Sequence, residues 1–268
     1  MTDFNRHEAI DPDIEVRIME TLSQIEKKHD VKILHAVESG SRAWGFHSPN
    51  SDYDVRFFYV HKRDWYLSIY PGRDVIELPI DEVYDVSGWD LKKTLHLALK
   101  SNAVVMEWLQ SPIIYQTDSN FTAALEKFCI SSFGQKPLMH HYLNLGVRQV
   151  DQTWRSSPNV QIKKYFYMIR PAMALRWMAR HEGRVDVPMN LQKLMVESDV
   201  PQDVQNLLLN LIDRKKKCEE REVVERIGIL DDFMAEEYRQ AEGVVEGLSA
   251  VKNDNMVFAD DLFRQWLI

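Results

Sequence analysis

The sequence has few cysteines and no long apolar run, and both absences limit the class of protein. Only Cys129 and Cys218 occur among 268 residues, and they have neither metal-ligand spacing nor the density of a disulfide scaffold. This usage is typical of the reducing cytoplasm, which is the location we expect. No apolar run approaches the roughly 20 residues of a transmembrane helix, and the first residues lack the apolar core of a secretory signal. We therefore expect no membrane partner.

The sequence also lacks an excess of positive charge. It contains 33 Lys and Arg against 41 Asp and Glu, which gives a net charge of −8. A protein that coats duplex nucleic acid is normally basic, so any contact with nucleic acid should be confined to a local basic surface. Neither a Gly-x-Gly-x-x-Gly nor a Gly-x-x-x-x-Gly-Lys-Ser/Thr motif occurs, which disfavours Rossmann and P-loop nucleotide sites.

Two regions of different pattern follow one another along the chain. The predicted elements of the first are a helix over 12–29, strands over 32–37, 52–60, 75–78 and 82–86, and a helix over 91–100. Beyond about residue 100 the apolar residues take helical spacing, and no strand is predicted. The pattern predicts an α/β (α+β) fold, with a catalytic domain over 1–115 and a helical domain over 116–268 that completes the cleft.

Two acidic residues in the predicted strand 52–60 are the first candidates for chemistry. Asp52 and Asp54 are two residues apart, so their side chains point to the same face of a strand. Neighbouring carboxylates repel each other, and a strand often keeps them together because cations bind between them. Carboxylate oxygens suit Mg²⁺ or Mn²⁺, and Mg²⁺ commonly binds together with substrate phosphates.

A short turn upstream offers a partner for those phosphates. Gly40 and Ser41 follow a predicted strand and precede a possible helical turn, which would present backbone N–H groups and a hydroxyl to a phosphate. An Asp-x-Asp pair or a Gly-Ser turn alone is common in proteins and is usually structural. Together they predict phosphoryl or nucleotidyl transfer.

The same residues resemble a known signature. Gly40-Ser41, ten intervening residues and Asp52-Tyr53-Asp54 are similar to the motif of the DNA polymerase β-like nucleotidyltransferase superfamily. The longer segment GSRAWGFHSPNSDYDVRFFYV (40–60) resembles one bacterial and phage family of predicted nucleotidyltransferases, some of whose members are associated with RNA repair. Segments 85–102 and 163–177 extend this resemblance over much of the chain.

The resemblance implies both a fold and a reaction. The fold would be a mixed sheet backed by helices, with the active site on one sheet face and a helical region across the cleft. Two ions, Mg²⁺ or Mn²⁺, would bind a nucleoside triphosphate at Asp52, Asp54 and a third carboxylate. A hydroxyl would then attack the α-phosphorus, and pyrophosphate would leave.

The third carboxylate has several candidates. We choose Asp85, because Val83–Val86 can pair beside the strand 52–60 and because the matching acid of the family stands just before the helix start. Asp81 is the alternative, because on one strand its side chain would point to the same face as that of Asp85. Asp90 is more simply explained as the N-cap of the following helix.

Further polar residues could line such a site. Arg42 could bind the β- or γ-phosphate through its guanidinium, or it could lie on the surface of a helical turn. Lys163, Tyr167 and Arg170 share one helix face and could bind the triphosphate, although an ordinary solvated face is an equal alternative. Pro171 should kink or interrupt that helix.

The function predicted from these residues is metal-dependent nucleotidyl transfer. A nucleoside monophosphate would move from a nucleoside triphosphate to a hydroxyl acceptor, which in the first hypothesis is the 3′ end of an RNA or a tRNA. Transfer of AMP to a small molecule or a protein hydroxyl is a second hypothesis, and a noncatalytic nucleotide sensor is a third. The Asp52 and Asp54 pair argues against the sensor, because a pure binder has less need of two clustered acids.

Overall fold

A computed structural model describes residues 9–70, 72–80, 83–154, 158–217, 222–249 and 255–268, except for the side chains of 151–154. The predicted residues Asp81, Glu82 and Cys218 lie outside these ranges. The chain forms two compact units. One contains Met1–Ala43, Asp52–Phe133 and Lys252–Ile268, and the other contains Trp44–Ser51 and Gly134–Val251. The functional division at residue 115 stays a prediction.

Twelve helices and seven strands occur in the described residues. The helices are α1 (Pro12–His29), α2 (Gly40–Trp44), α3 (Arg63–Tyr66), α4 (Leu91–Leu99), α5 (Ala103–Leu109), α6 (Ser119–Ser132), α7 (Gln135–Trp154), α8 (Ile162–Arg180), α9 (Leu191–Glu197), α10 (Gln202–Lys215), α11 (Gly228–Gly247) and α12 (Met256–Trp266). The strands are β1 (Val31–Glu38), β2 (Tyr53–His61), β3 (Val75–Glu77), β4 (Tyr84–Asp90), β5 (Ile114–Thr117), β6 (Asn159–Gln161) and β7 (Val223–Glu225).

The first unit is built on a five-stranded mixed sheet in the spatial order β3-β4-β2-β1-β5. Strands β2 and β4 are parallel, whereas β1 is antiparallel to β2 and β5, and β3 is antiparallel to β4. The predicted fold class is confirmed: a mixed α/β arrangement precedes a helical C-terminal region.

One face of the sheet packs against α1. This helix begins after Asp11, whose carboxylate accepts hydrogen bonds from the first backbone N–H groups, as predicted. Its apolar side joins the inward residues of β2 in one core, because alternate strand residues share a face. The central members of that core are Ile18, Leu22, Ile25, Tyr53, Val55, Phe57 and Tyr59. The other face of β2 carries Asp54 and Arg56 near its start and the buried Phe58 and Val60 farther along.

Strand β4 is longer than the predicted strand 82–86 and runs through Gly88 to Asp90. A Cβ at Gly88 would lie 2.1 Å from the Phe57 ring. The glycine therefore lets an aromatic ring of β2 pack directly over the β4 backbone. Asp90 ends the strand and also caps α4 by accepting a hydrogen bond from the N–H of Lys92, as predicted.

The second unit is mainly helical, and α8 is buried on almost all sides. The helix continues through Pro171, so the proline does not end it. Phe46, from the loop before β2, stacks on Phe166 of α8 with ring centroids 4.4 Å apart. Strands β6 and β7 form a two-stranded antiparallel sheet in this unit.

The expectation of no strand beyond residue 100 is therefore wrong. Strands β5, β6 and β7 have only three or four residues each, too few for an alternating pattern to distinguish them from a helix or loop. Within the described part of the chain, no helix is both long enough and apolar enough to cross a membrane. The cytoplasmic location stays a prediction.

Candidate active site

The parallel pairing of β2 and β4 brings two carboxylates side by side. The register places Asp54 directly opposite Asp85, and both residues face away from the α1 core. Their side chains are 27% and 31% exposed, so both carboxylates are reached by solvent. Asp85, which is 31 residues from Asp54 in the sequence, thus becomes its neighbour through strand pairing alone.

A guanidinium lies between these carboxylates. Arg56 follows Asp54 by two residues and shares its strand face. Its Nη2 lies 3.0 Å from Asp54 Oδ1 and 2.6 Å from Asp85 Oδ2. Its Nη1 donates to the backbone carbonyls of Asp85 and Val55, at 2.7 and 3.1 Å. The carboxylate pair therefore has one bridging cation, supplied by the chain itself.

The Gly40-Ser41 turn lies against the Asp54 carboxylate. Gly40 has a φ of +56°, which favours glycine, and a Cβ there would lie 1.8 Å from Asp54 Oδ2. The backbone N–H of Ser39 donates to the carbonyl of Asp54 at 2.8 Å. Gly40 and Asp54, which are far apart in the sequence motif, are therefore in direct contact. Ser41, the next residue of the turn, is 8% exposed.

Glu38, at the end of β1, is buried under this contact. Its Oε1 accepts a hydrogen bond from the N–H of Asp54 at 2.9 Å, and its Oε2 accepts one from the Tyr115 hydroxyl at 2.6 Å. Burial is the main cause that raises the pKa of the Glu38 carboxyl to about 8, although both hydrogen bonds oppose the shift. Glu38 therefore positions the Asp54 backbone from a fully buried location.

Arg42 is also buried, at 4% exposure. Its Nε donates to the carbonyl of Asp52 at 3.1 Å, its Nη1 donates to the carbonyl of Ala9 at 2.6 Å, and its guanidinium lies over the Tyr53 ring. These contacts rule out the surface alternative and give Arg42 a role in holding the start of β2. Its phosphate contact stays a prediction.

The remaining carboxylate candidates have different surroundings. Asp52 is exposed and immediately precedes β2. Asp90 is almost fully buried and accepts a hydrogen bond from the Tyr66 hydroxyl at 2.6 Å as well as capping α4. Among the described residues, no group of three or more His, Cys, Asp or Glu side chains is arranged to hold a metal ion. The metal roles of Asp52, Asp54 and Asp85 stay predictions.

The predicted cationic stripe lies on α8 in the second unit. Lys163 and Tyr167 are half-buried, whereas Arg170 is 3% exposed. Arg170 donates from Nε to the carbonyl of Met189 at 3.2 Å, and its guanidinium lies 4.6 Å from the centre of the Trp44 ring. A solvated helix face does not describe these residues, and their binding of a triphosphate stays a prediction.

Sequence reasoning missed the bridging position of Arg56 and the burial of Glu38. The signal for Arg56 was its position two residues after Asp54, which puts both side chains on the same face of the strand. The bridge to Asp85 also requires the register between β2 and β4, which is set by the packing of distant residues. The signal for Glu38 was its position immediately before the glycine turn, where a polar side chain can hold the backbone of the next strand.

The sequence matches the RNA repair pathway DNA polymerase beta family over residues 14–265. Because this match spans nearly the whole chain, the protein belongs to that family of DNA polymerase β-like nucleotidyltransferases. A Bacillus subtilis (strain 168) relative named "Uncharacterized protein YcgL" is 41% identical over 238 residues, which cover 89% of this chain and 90% of that protein. The resemblance seen in the sequence motifs is confirmed.

Proposed function

We propose that the protein is a metal-dependent nucleotidyltransferase that moves a nucleoside monophosphate from a nucleoside triphosphate to a hydroxyl of RNA. The observation that carries this proposal is the in-register pair of Asp54 and Asp85 beside the Gly40-Ser41 turn. Membership of a family described by an RNA repair pathway supports RNA as the acceptor.

The chemistry of the Asp54 and Asp85 carboxylates suits a hard divalent cation. Asp54 and Asp85 offer partly exposed carboxylate oxygens on adjacent strands, and a positively charged group already lies between them. Exposed Asp52, just before β2, is the further ligand that we assign. Mg²⁺ or Mn²⁺, with two ions expected, would supply charge neutralisation at the phosphates and acidification of the attacking hydroxyl.

The chain's own residues bind and orient the triphosphate in this proposal. Gly40 leaves room for the Asp54 carboxylate beside the turn, and the backbone N–H groups that begin α2 donate to a phosphate, together with the Ser41 hydroxyl. The acceptor hydroxyl loses its proton to solvent water as its oxygen bonds to the α-phosphorus. The bond from that phosphorus to the β-phosphate oxygen breaks, and pyrophosphate leaves.

Lys163 and Tyr167 of α8 stay predicted nucleotide-binding residues. Both are half-buried, so each retains some exposed surface. Arg170 belonged to the same prediction, but its burial and its hydrogen bond to Met189 support a packing role more strongly.

One observation favours a second acceptor class. The net charge of −8 disfavours an extended RNA-binding surface, so transfer of AMP to a protein or small-molecule hydroxyl is the alternative. A noncatalytic nucleotide sensor fits less well, because it has no need of paired, solvent-reached carboxylates.

The position of the radioactive label identifies the reaction. The protein is incubated with nucleoside triphosphates labelled at the α- or the γ-phosphate, with pooled RNA, with tRNA, or with no added acceptor. We expect α-label, and no γ-label, on RNA in the presence of Mg²⁺ or Mn²⁺, and none with EDTA. Asp54→Asn should abolish the transfer, whereas Asp118→Asn, a helix cap distant from the motif in sequence, should not.

Each of the other outcomes would point to a different function. Label on the protein itself, or on a small molecule, would replace RNA by the second acceptor class. Transfer of γ-label would contradict nucleotidyl transfer. Nucleotide binding without any transfer, across all acceptors and both metals, would favour the sensor.

A further inference from the structure

The guanidinium of Arg56 is anchored more firmly than an ordinary surface ion pair. Its side chain is 18% exposed, and Nη1 is held by the two carbonyls of Val55 and Asp85. Those contacts direct Nη2 toward both carboxylates at once, at 3.0 Å from Asp54 and 2.6 Å from Asp85. A partly shielded, multiply bonded guanidinium contributes more than an exposed pair does.

Nη2 occupies the position that a bridging ion would need. A Mg²⁺ ion that binds one oxygen from each of two carboxylates lies between them, about 2.1 Å from each oxygen. Asp54 Oδ1 and Asp85 Oδ2 are the two oxygens that Nη2 contacts. A divalent ion and a guanidinium in that place would overlap and repel each other, so only one of them can occupy it.

We propose that Arg56 is an internal cation that occupies the bridging position between Asp54 and Asp85 until a divalent ion displaces its Nη2. The inference rests on the proposed function, because it takes these two carboxylates as metal ligands. Arg56 is then a positioning residue with two opposite effects. It stabilises the metal-free site by neutralising part of the carboxylate charge, and it weakens divalent binding by competing for the same oxygens.

The test is a titration of nucleotide-free protein with Mn²⁺, in which electron paramagnetic resonance measures the free ion. Removal of a charged hydrogen-bonding competitor in Arg56→Gln should tighten Mn²⁺ binding roughly tenfold. In EDTA the same variant should melt at a lower temperature than the wild type. Addition of Mn²⁺ should then raise its melting temperature by more than it raises that of the wild type.

Two further variants serve as controls. Arg73→Gln removes another arginine of the same unit, one that pairs with exposed Glu77, and should leave Mn²⁺ affinity unchanged. Arg56→Lys keeps the charge but cannot reproduce the planar arrangement of the guanidinium bonds, so its affinity should lie between those of the wild type and Arg56→Gln. If Arg56→Gln does not fold, the comparison of Arg56→Lys with the wild type carries the test.

The outcomes separate the inference from the function on which it rests. If the wild type binds Mn²⁺, Asp54→Asn does not, and the Arg56 variants bind with equal or lower affinity, the competition is overturned and the metal site survives. If the wild type shows no Mn²⁺ binding that depends on Asp54, the metal site itself is wrong. Tighter binding in Arg56→Gln together with a lower metal-free melting temperature supports the inference.

Discussion

At the scale of single residues, the candidate site depends on the absence of a Cβ atom at Gly40. The left-handed φ of Gly40 turns the chain from β1 into α2, and the missing Cβ leaves space for the Asp54 carboxylate. Asp54 is held from the other side because Glu38 accepts a hydrogen bond from its N–H. Two residues of the turn region therefore position one catalytic candidate.

Gly40→Ala should lower stability and reduce nucleotidyl transfer together. The left-handed conformation costs a non-glycine residue roughly 1 to 2 kcal/mol, and the new Cβ must also displace the Asp54 carboxylate. Gly183→Ala is the matched control, because Gly183 also has a positive φ, +77°, but nothing lies within 4 Å of its Cβ position. Urea unfolding and transfer rates should show an additional loss only for Gly40→Ala. Equal losses in both variants would contradict the contact with Asp54.

Glu38 should make stability depend on pH near neutrality. Burial raises its folded-state pKa from 4.5 to about 8, so folding favours the protonated carboxyl. Its contribution to the free energy of unfolding is fully present below pH 4.5, declines as pH rises, and becomes constant above about 8. Glu38→Gln should therefore lose less stability than the wild type between pH 6.5 and 8.5, as measured by urea unfolding. Parallel pH profiles for the two proteins would show that Glu38 stays ionised in the folded state.

Sequence predicts a site residue correctly where the spacing of neighbouring residues determines its position. It fails where contacts with residues far along the chain determine that position. The motif spacing suffices to select Gly40 and Asp54, which the structure places in contact. Arg42 and Glu38 are buried by interactions with residues far along the chain, Ala9 and Tyr115. No local pattern contains those partners, so the burial of neither residue could be predicted, and a surface position stayed open for Arg42.

At the scale of secondary-structure elements, α8 shows why helical periodicity can mislead. Spacing places Lys163, Tyr167 and Arg170 on one polar face, but Trp44 packs against two of them, Tyr167 and Arg170. Periodicity identifies which residues share a face and does not identify what packs against it. The strand β4 is similar, because it continues beyond the predicted end at residue 86 through Gly88, which packs under the Phe57 ring.

Arg170→Ala should destabilise the helical unit, whereas Arg180→Ala should have little effect. Arg170 is buried, donates to the carbonyl of Met189 and lies over the Trp44 ring, so its loss leaves an unpaired carbonyl and a cavity. We expect a loss of about 2 kcal/mol in the free energy of unfolding. Arg180 is exposed on the same helix and controls for the loss of charge. Similar unfolding free energies for the two variants would show that Arg170 has no packing role.

At the scale of the whole molecule, the family match over residues 14–265 includes most of both compact units, so the sheet and the helical region both belong to the family's sequence pattern. The acidic net charge disfavours an extended RNA-binding surface. The catalytic candidates Asp54 and Asp85 and the positioning residue Arg56 all belong to the sheet unit and meet on β2 and β4. The central claim is that this parallel strand pair forms the nucleotidyl-transfer site.

The rate of α-label transfer in Asp85→Asn tests that claim most directly. The change is isosteric and leaves an oxygen that can accept from Arg56, so the fold should persist. We expect the rate to fall by more than about a hundredfold, because loss of even an outer-shell partner of a metal ligand typically costs 10- to 100-fold. Asp118→Asn, which preserves a helix cap, should transfer at the wild-type rate. A wild-type rate in folded Asp85→Asn would contradict the assignment of the site to β2 and β4.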